Sequence, residues 1–114
     1  MLLKGFNGRT GSRLSAVVTR SGVPLAAVLP EEVPLDNFAT MAATLLGALE
    51  VIYTTMKAPS PEQVVVRSEN GTLVVRVVTS RAFFVALTDG DSEDAARAAE
   101  ETATRARALL AKTS

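Results

Sequence analysis

Two short stretches carry residue types that could do chemistry. Asp89-Gly90-Asp91-Ser92 puts two carboxylates near the end of a strand candidate, and oxygen ligands of that kind suit a hard cation such as Mg²⁺. The same four residues are what a turn leading into a capped helix requires, and that is the stronger reading. Gly5 to Gly11, GFNGRTG, has the glycine content of a phosphate loop. It lacks the G-x-x-x-x-G-K-[ST] spacing and does not lie between a strand and a helix. Arg9, Arg13, Arg20, Arg67 and Arg81 could each lend positive charge to a phosphoryl-transfer transition state, but each also reads as solubilising surface charge. The chain has no His and no Cys. That removes the commonest general base and metal ligand, any Ser–His triad, a thiolate nucleophile, thiolate metal sites and disulfides. No catalytic residue, no metal ligand and no cofactor site is assigned, and the expectation is that the protein is not an enzyme.

Composition narrows the partners. At 114 residues the chain is one domain, able to bury a core without staples. Twelve basic and twelve acidic residues balance to zero net charge, with a pI near 6.3. This gives no electrostatic case for nucleic acid or an anionic membrane. No apolar run is read as long enough to cross a bilayer, which takes about 20 residues, and the start MLLKGFNGRTG has no signal-peptide core. The expectation is a soluble cytoplasmic protein with no membrane insertion.

The element that must position any site is Asp36 to Met56, DNFATMAATLLGALEVIYTTM. Phe38, Met41, Ala42, Leu45, Leu46, Leu49, Ile52, Tyr53 and Met56 recur at steps of three and four, which marks one helical face. Asp36 is the expected N-cap, and Pro59 and Pro61 stop the helix. Ala39, Ala43 and Gly47 form a ridge of very small residues on the other side, flanked by Thr40, Thr44, Ala48 and Val51. Between Asp36 and Lys57 the only charged residue is Glu50, so both faces are expected to be covered. One face would lie on the parent domain, and the small ridge would admit a second helix.

Around this helix the pattern has period two. Residues 1–13 are glycine-broken and read as an irregular arm, with a single domain over 14–112. Leu14–Arg20 and Pro24–Leu29 read as a hairpin, with Pro24 consigning the second strand to a sheet edge. Gln63–Ser68, Thr72–Thr79 and Ala82–Thr88 come next as strands, the first two joined at Asn70-Gly71 and the last two at Ser80-Arg81. The last two are apolar on both faces and should be central. Arg76 interrupts them and reads as a snorkelling side chain near the sheet end. Glu93 to about Ala111 is a second helix, acidic at its start and basic at its end, as the helix dipole favours. The order β-β-α-β-β-β-α predicts an α+β fold: a five-stranded antiparallel sheet, the long helix on one face and the C-terminal helix on part of the other.

The run VVTRSGVPLAAVLPEE, then LDNFATMAATLLGALEVI, PEQVVVRSENGTLVVRVV and FFVALTD, resembles the Roadblock/LC7 family. The resemblance spans about residues 14 to 90 and rests on the order of patterns. It implies the same five-stranded sheet and a dimer, with long helices side by side and third strands paired into one continuous sheet. On this chain the helix contact would use Ala39, Thr40, Ala43, Thr44, Gly47 and Val51, and the strand contact Val64, Val65 and Val66. Family members are regulators or scaffolds of Ras-like small GTPases, so the implied function is a non-enzymatic homodimeric regulator or adaptor. Many members begin with a helix before the first strand, whereas only the glycine-broken arm precedes Leu14 here. The alternative from the residues is a small-ligand sensor or structural adaptor with a profilin- or PAS-like sheet.

Overall fold

A computed structural model of the protein describes residues 12–30, 32–69, 71–88 and 92–113. The first hairpin is β1 (Ser12–Thr19) and β2 (Pro24–Val28). Its turn needs Gly22, whose φ of +93° is a left-handed conformation that a side chain resists. The Gly22 N–H donates to the Thr19 carbonyl at 2.9 Å. Of the arm expected over residues 1–13, residues 1–11 lie outside the described residues, and Ser12 and Arg13 belong to β1.

Helix α1 runs Leu35–Thr55. Asp36 is not its N-cap. Pro34 holds that position in an extended conformation, no side chain caps the helix, and the Phe38 N–H donates to the Pro34 carbonyl at 3.0 Å. Proline fixes the entry angle by its ring, so the carboxylate one residue inside serves only the dipole. The C-terminus closes before either proline. Ala58 N–H reaches Tyr53 O and Lys57 N–H reaches Thr54 O, with Lys57 at φ +56°. This is a Schellman motif with lysine in the left-handed position that glycine usually takes.

The remaining elements are β3 (Gln63–Ser68), β4 (Gly71–Thr79), β5 (Ala82–Thr88) and α2 (Ser92–Thr113). Ser68 pairs directly with Gly71, so the glycine is already the first residue of β4 rather than part of the turn. The Arg81 N–H donates to Thr79 Oγ1 at 3.1 Å across the turn between β4 and β5. The five strands form one antiparallel sheet in the order β2-β1-β5-β4-β3. Connection α1 therefore carries the chain from one sheet edge to the other.

Strand alternation divides the apolar residues into two cores. Beneath α1 lie Ala16, Val18, Val75, Phe83 and Val85, met by Ala39, Ala42 and Leu46. Beneath α2 lie Val17, Val74, Val78, Phe84 and Ala86, met by Ala98, Ala99, Ala103 and Ala106. Phe83 and Phe84 are neighbours in sequence and both fully buried, one in each core. Alanine on α2 lets that helix sit close to the sheet, and the Arg107 Nε–H donates to the Val78 carbonyl. Arg76 stands half-buried on the α2 side, between Gln63 of β3 and Phe84 of β5.

Candidate functional site

Helix α1 is the apolar element least used by its own chain. It is 21 residues long and apolar enough by length and composition alone to cross a bilayer, a test that the core helix of a globular fold also passes. Its ends join β2 to β3 of one sheet, and Ala39, Ala42 and Leu46 are core, so it is an integral part of this fold. Yet those three are its buried residues, and the rest of the helix is half-buried or exposed. Met41 is 64%, Val51 65% and Met56 75% exposed, and Ile52 is also exposed. Thr40, Thr44 and Ala48 complete the outward face.

The two faces of α1 differ in part from the sequence reading, which holds for Phe38, Ala42, Leu45 and Leu46 inward and Thr40, Thr44, Ala48 and Val51 outward. Ala39, expected on the outward ridge, is fully buried against the sheet and is not surface. Ala43 is half-buried and packs on the same core, and Gly47 is half-buried at its margin. Met41, Ile52, Tyr53 and Met56, expected inward, face out. The physical reason is close approach: small residues at 39, 42 and 43 let the helix settle on the sheet and on the first hairpin. A Cβ at Gly22 would stand 3.3 Å from the Thr40 Cα. Of the large apolar residues, Leu46, Phe38 and Leu45 still pack on that core, while Met41, Ile52 and Met56 point away. The only helix charge in this span, Glu50, accepts a hydrogen bond from Arg20 of the β1–β2 turn. Beyond Asp36 in the first turn, the exposed face carries no charge.

Strand β3 is the second half of the site. It is the last strand of the sheet on the side away from β2, and among the described residues only β4 pairs with it. Val64 packs half-buried on the α1-side core, while Val65 and Val66 are exposed on opposite faces. An apolar edge with open backbone groups is a template for another strand. Of the expected site residues, Thr40, Thr44, Val51, Val65 and Val66 are exposed, and Ala43, Gly47 and Val64 are half-buried. Sequence reasoning missed Met41, Ile52, Tyr53 and Met56. The absence of charge around them was the available signal.

Most of the residues considered for chemistry cannot be placed. Asp89 to Asp91 and Arg9 lie outside the described residues, as does the glycine-rich stretch 5–11. Among the described residues no three His, Cys, Asp or Glu side chains are placed to hold a metal. Arg20 is engaged by Glu50 and its N–H donates to the Arg81 carbonyl; Arg81 is exposed in the β4–β5 turn and Arg67 near the end of β3.

The outward face of α1, apolar beyond its first turn, and the edge strand β3 are thus the two apolar surfaces of an α+β fold of this topology. The Roadblock/LC7 domain model matches residues 1–88, and the chain belongs to that family. The fold superposes on MglB of Myxococcus xanthus with a TM-score of 0.91 at 10% identity, covering 97% of this chain and 93% of that one. A structure of MglB with a tetrameric arrangement gives 0.89 at 20% identity, covering 97% and 86%. Acanthamoeba castellanii profilin IB is similar at 0.65 with 16% identity, covering 95% and 92%. No curated protein matches the sequence.

Proposed function

We propose that the chain is a non-enzymatic regulator or scaffold of a Ras-like small GTPase, acting in the cytoplasm as a homodimer. The observation that carries this reading is the apolar face of α1, which its own chain leaves exposed along most of its length. A second copy is its first occupant. Family membership supports this, and so does the tetrameric arrangement of a similar MglB. The contact would use Thr40, Thr44 and Val51 with Met41 and Ala48, with Ala43 and Gly47 at its margin. Val64, Val65 and Val66 would pair with their own counterparts, which caps the open edge of β3. Ala39 supports the contact from beneath. Two helices held side by side would then offer one composite surface to the GTPase.

The test has two stages. Sedimentation velocity at micromolar concentration should give a dimer. Purified Ras-like GTPases loaded with GDP or with a non-hydrolysable GTP analogue should then bind in one nucleotide state. Single-turnover hydrolysis on the bound GTPase would tell a regulator from a scaffold. A monomer that binds neither state overturns the reading. The likeness to profilin supports a second reading, a small-ligand sensor or structural adaptor on the same kind of sheet. A small molecule retained in native mass spectrometry would favour it.

A further inference from the structure

The turn of the first hairpin grips α1 at two points. Gly22 brings turn backbone against helix backbone at Thr40. Arg20 Nη1 donates to Glu50 Oε1 at 2.5 Å, spanning 30 positions of sequence. Thr40 and Glu50 are about 15 Å apart along the helix axis. The turn is itself fixed. The Arg20 N–H donates to the Arg81 carbonyl at 2.9 Å, tying it to the β4–β5 turn, and the Val23 N–H donates to Thr19 Oγ1 at 2.9 Å.

Beyond Glu50 the helix has no anchor in the described core. Leu46 is its last buried residue, and residues 51–57 are all exposed. Glu50 is also the only charge between Asp36 and Lys57. A lone carboxylate that meets a turn arginine, four residues beyond the last buried residue of the helix, is placed to aim the final turns of α1. The lever is appreciable: Met56 lies about 9 Å along the axis from Glu50, so a tilt of about 10° there moves it by about 1.5 Å. That is enough to spoil close packing.

We propose that Arg20 and Glu50 are positioning residues of the interaction surface. Their ion pair fixes the direction in which the apolar end of α1, Val51 to Met56, leaves the sheet, and so sets how well that end fits a second copy of this chain. The proposal rests on the homodimer reading for its consequence, but its geometric half belongs to the single protomer. Both side chains are about a third exposed, at 27% and 31%, so solvent screens the pair and its direct contribution to folding is small.

The chain has no cysteine, so spin labels go only where they are placed. Thr55→Cys and Ser80→Cys mark the exposed helix end and the exposed β4–β5 turn. Labelled protein diluted with unlabelled protein isolates the distance within a protomer by pulsed electron paramagnetic resonance. The expected result is one narrow distance in the parent, broadened or shifted by Glu50→Gln and by Arg20→Gln, and restored in the exchanged pair Arg20→Glu with Glu50→Arg. The dimer dissociation constant should rise about two- to five-fold in each single variant and recover in the exchanged pair. Melting temperature should barely move, which separates aiming from mere structural support. Unchanged distance distributions in both single variants would overturn the proposal. A protomer that never self-associates, yet shows the broadening, would fail the homodimer reading and keep the positioning role.

Discussion

Replacing Gly47 with arginine separates the stability of the protomer from that of the dimer, because the two should move in opposite directions. A Cβ added at Gly47 meets no heavy atom within 4 Å, so the protomer has room for a side chain. Glycine inside a helix is about 0.8–1 kcal/mol worse than alanine, and arginine is close to alanine. The protomer should therefore gain somewhat under about 1 kcal/mol. In a two-fold contact the new residue enters twice. An uncompensated buried charge costs about 3–5 kcal/mol, so two cost about 6 at the lower figure. If each arginine runs its stem along the surface and recovers half of that, about 3 kcal/mol remains, or about two decades in dissociation constant. Sedimentation velocity over a concentration series reads the dimer, and urea melts below the dissociation constant read the protomer. The expected result is a monomer at micromolar concentration with an unfolding midpoint at or above the parent's. A dimer of unchanged affinity would refute the placement of this margin in the interface. An unfolded protomer would refute the reading of open space around Gly47.

The packing makes three further outcomes testable. Gly22→Ala should cost about 1–2 kcal/mol in urea melts, since a φ of +93° opposes a side chain and the new Cβ crowds the Thr40 backbone. Phe84→Ala should cost about 3–5 kcal/mol and empty the core beneath α2, leaving the opposite core to Phe83, with the loss read by thermal melts. Val66→Lys, on the exposed edge strand, should leave the protomer's melt within about 0.5 kcal/mol of the parent while weakening self-association in sedimentation. A strong loss of protomer stability there would mean that Val66 is part of the core.

The fold is largely legible in the residues because its signals are local. The strand candidates Gln63–Ser68 and Ala82–Thr88 coincide with β3 and β5, since β-branched and aromatic runs bounded by turn residues leave little choice. Edge and centre are legible too: Pro24 marks β2 as an edge, and double-sided apolarity marks β4 and β5 as interior. The site is harder. Periodicity fixes an axis on a helix but not its sense when both sides are apolar, and the faces it suggests for α1 are in part reversed. What decides the sense is which residues meet the sheet and the hairpin turn, and such contacts, Gly22 against Thr40 among them, are remote in sequence. The cap misleads for a similar reason: Asp36 has the right chemistry, but Pro34 already fixes the entry. Arg20–Glu50 is not legible at all, as nothing local pairs a turn arginine with a carboxylate 30 positions on.

The strand order also has a consequence for how the chain is made. Neither of the first two hairpins pairs with the other; β1 and β4 meet only through β5, which lies between them. A ribosome that has delivered residues 1–81 has produced two separate ribbons and a greasy helix with no common sheet to rest on. Closure waits for the seven residues Ala82–Thr88, which slide in as a keystone and bring Phe83 and Phe84 to both layers at once. Until then each ribbon shows one more open edge than it will keep, so truncation before residue 88 should yield an aggregating product rather than a smaller folded one.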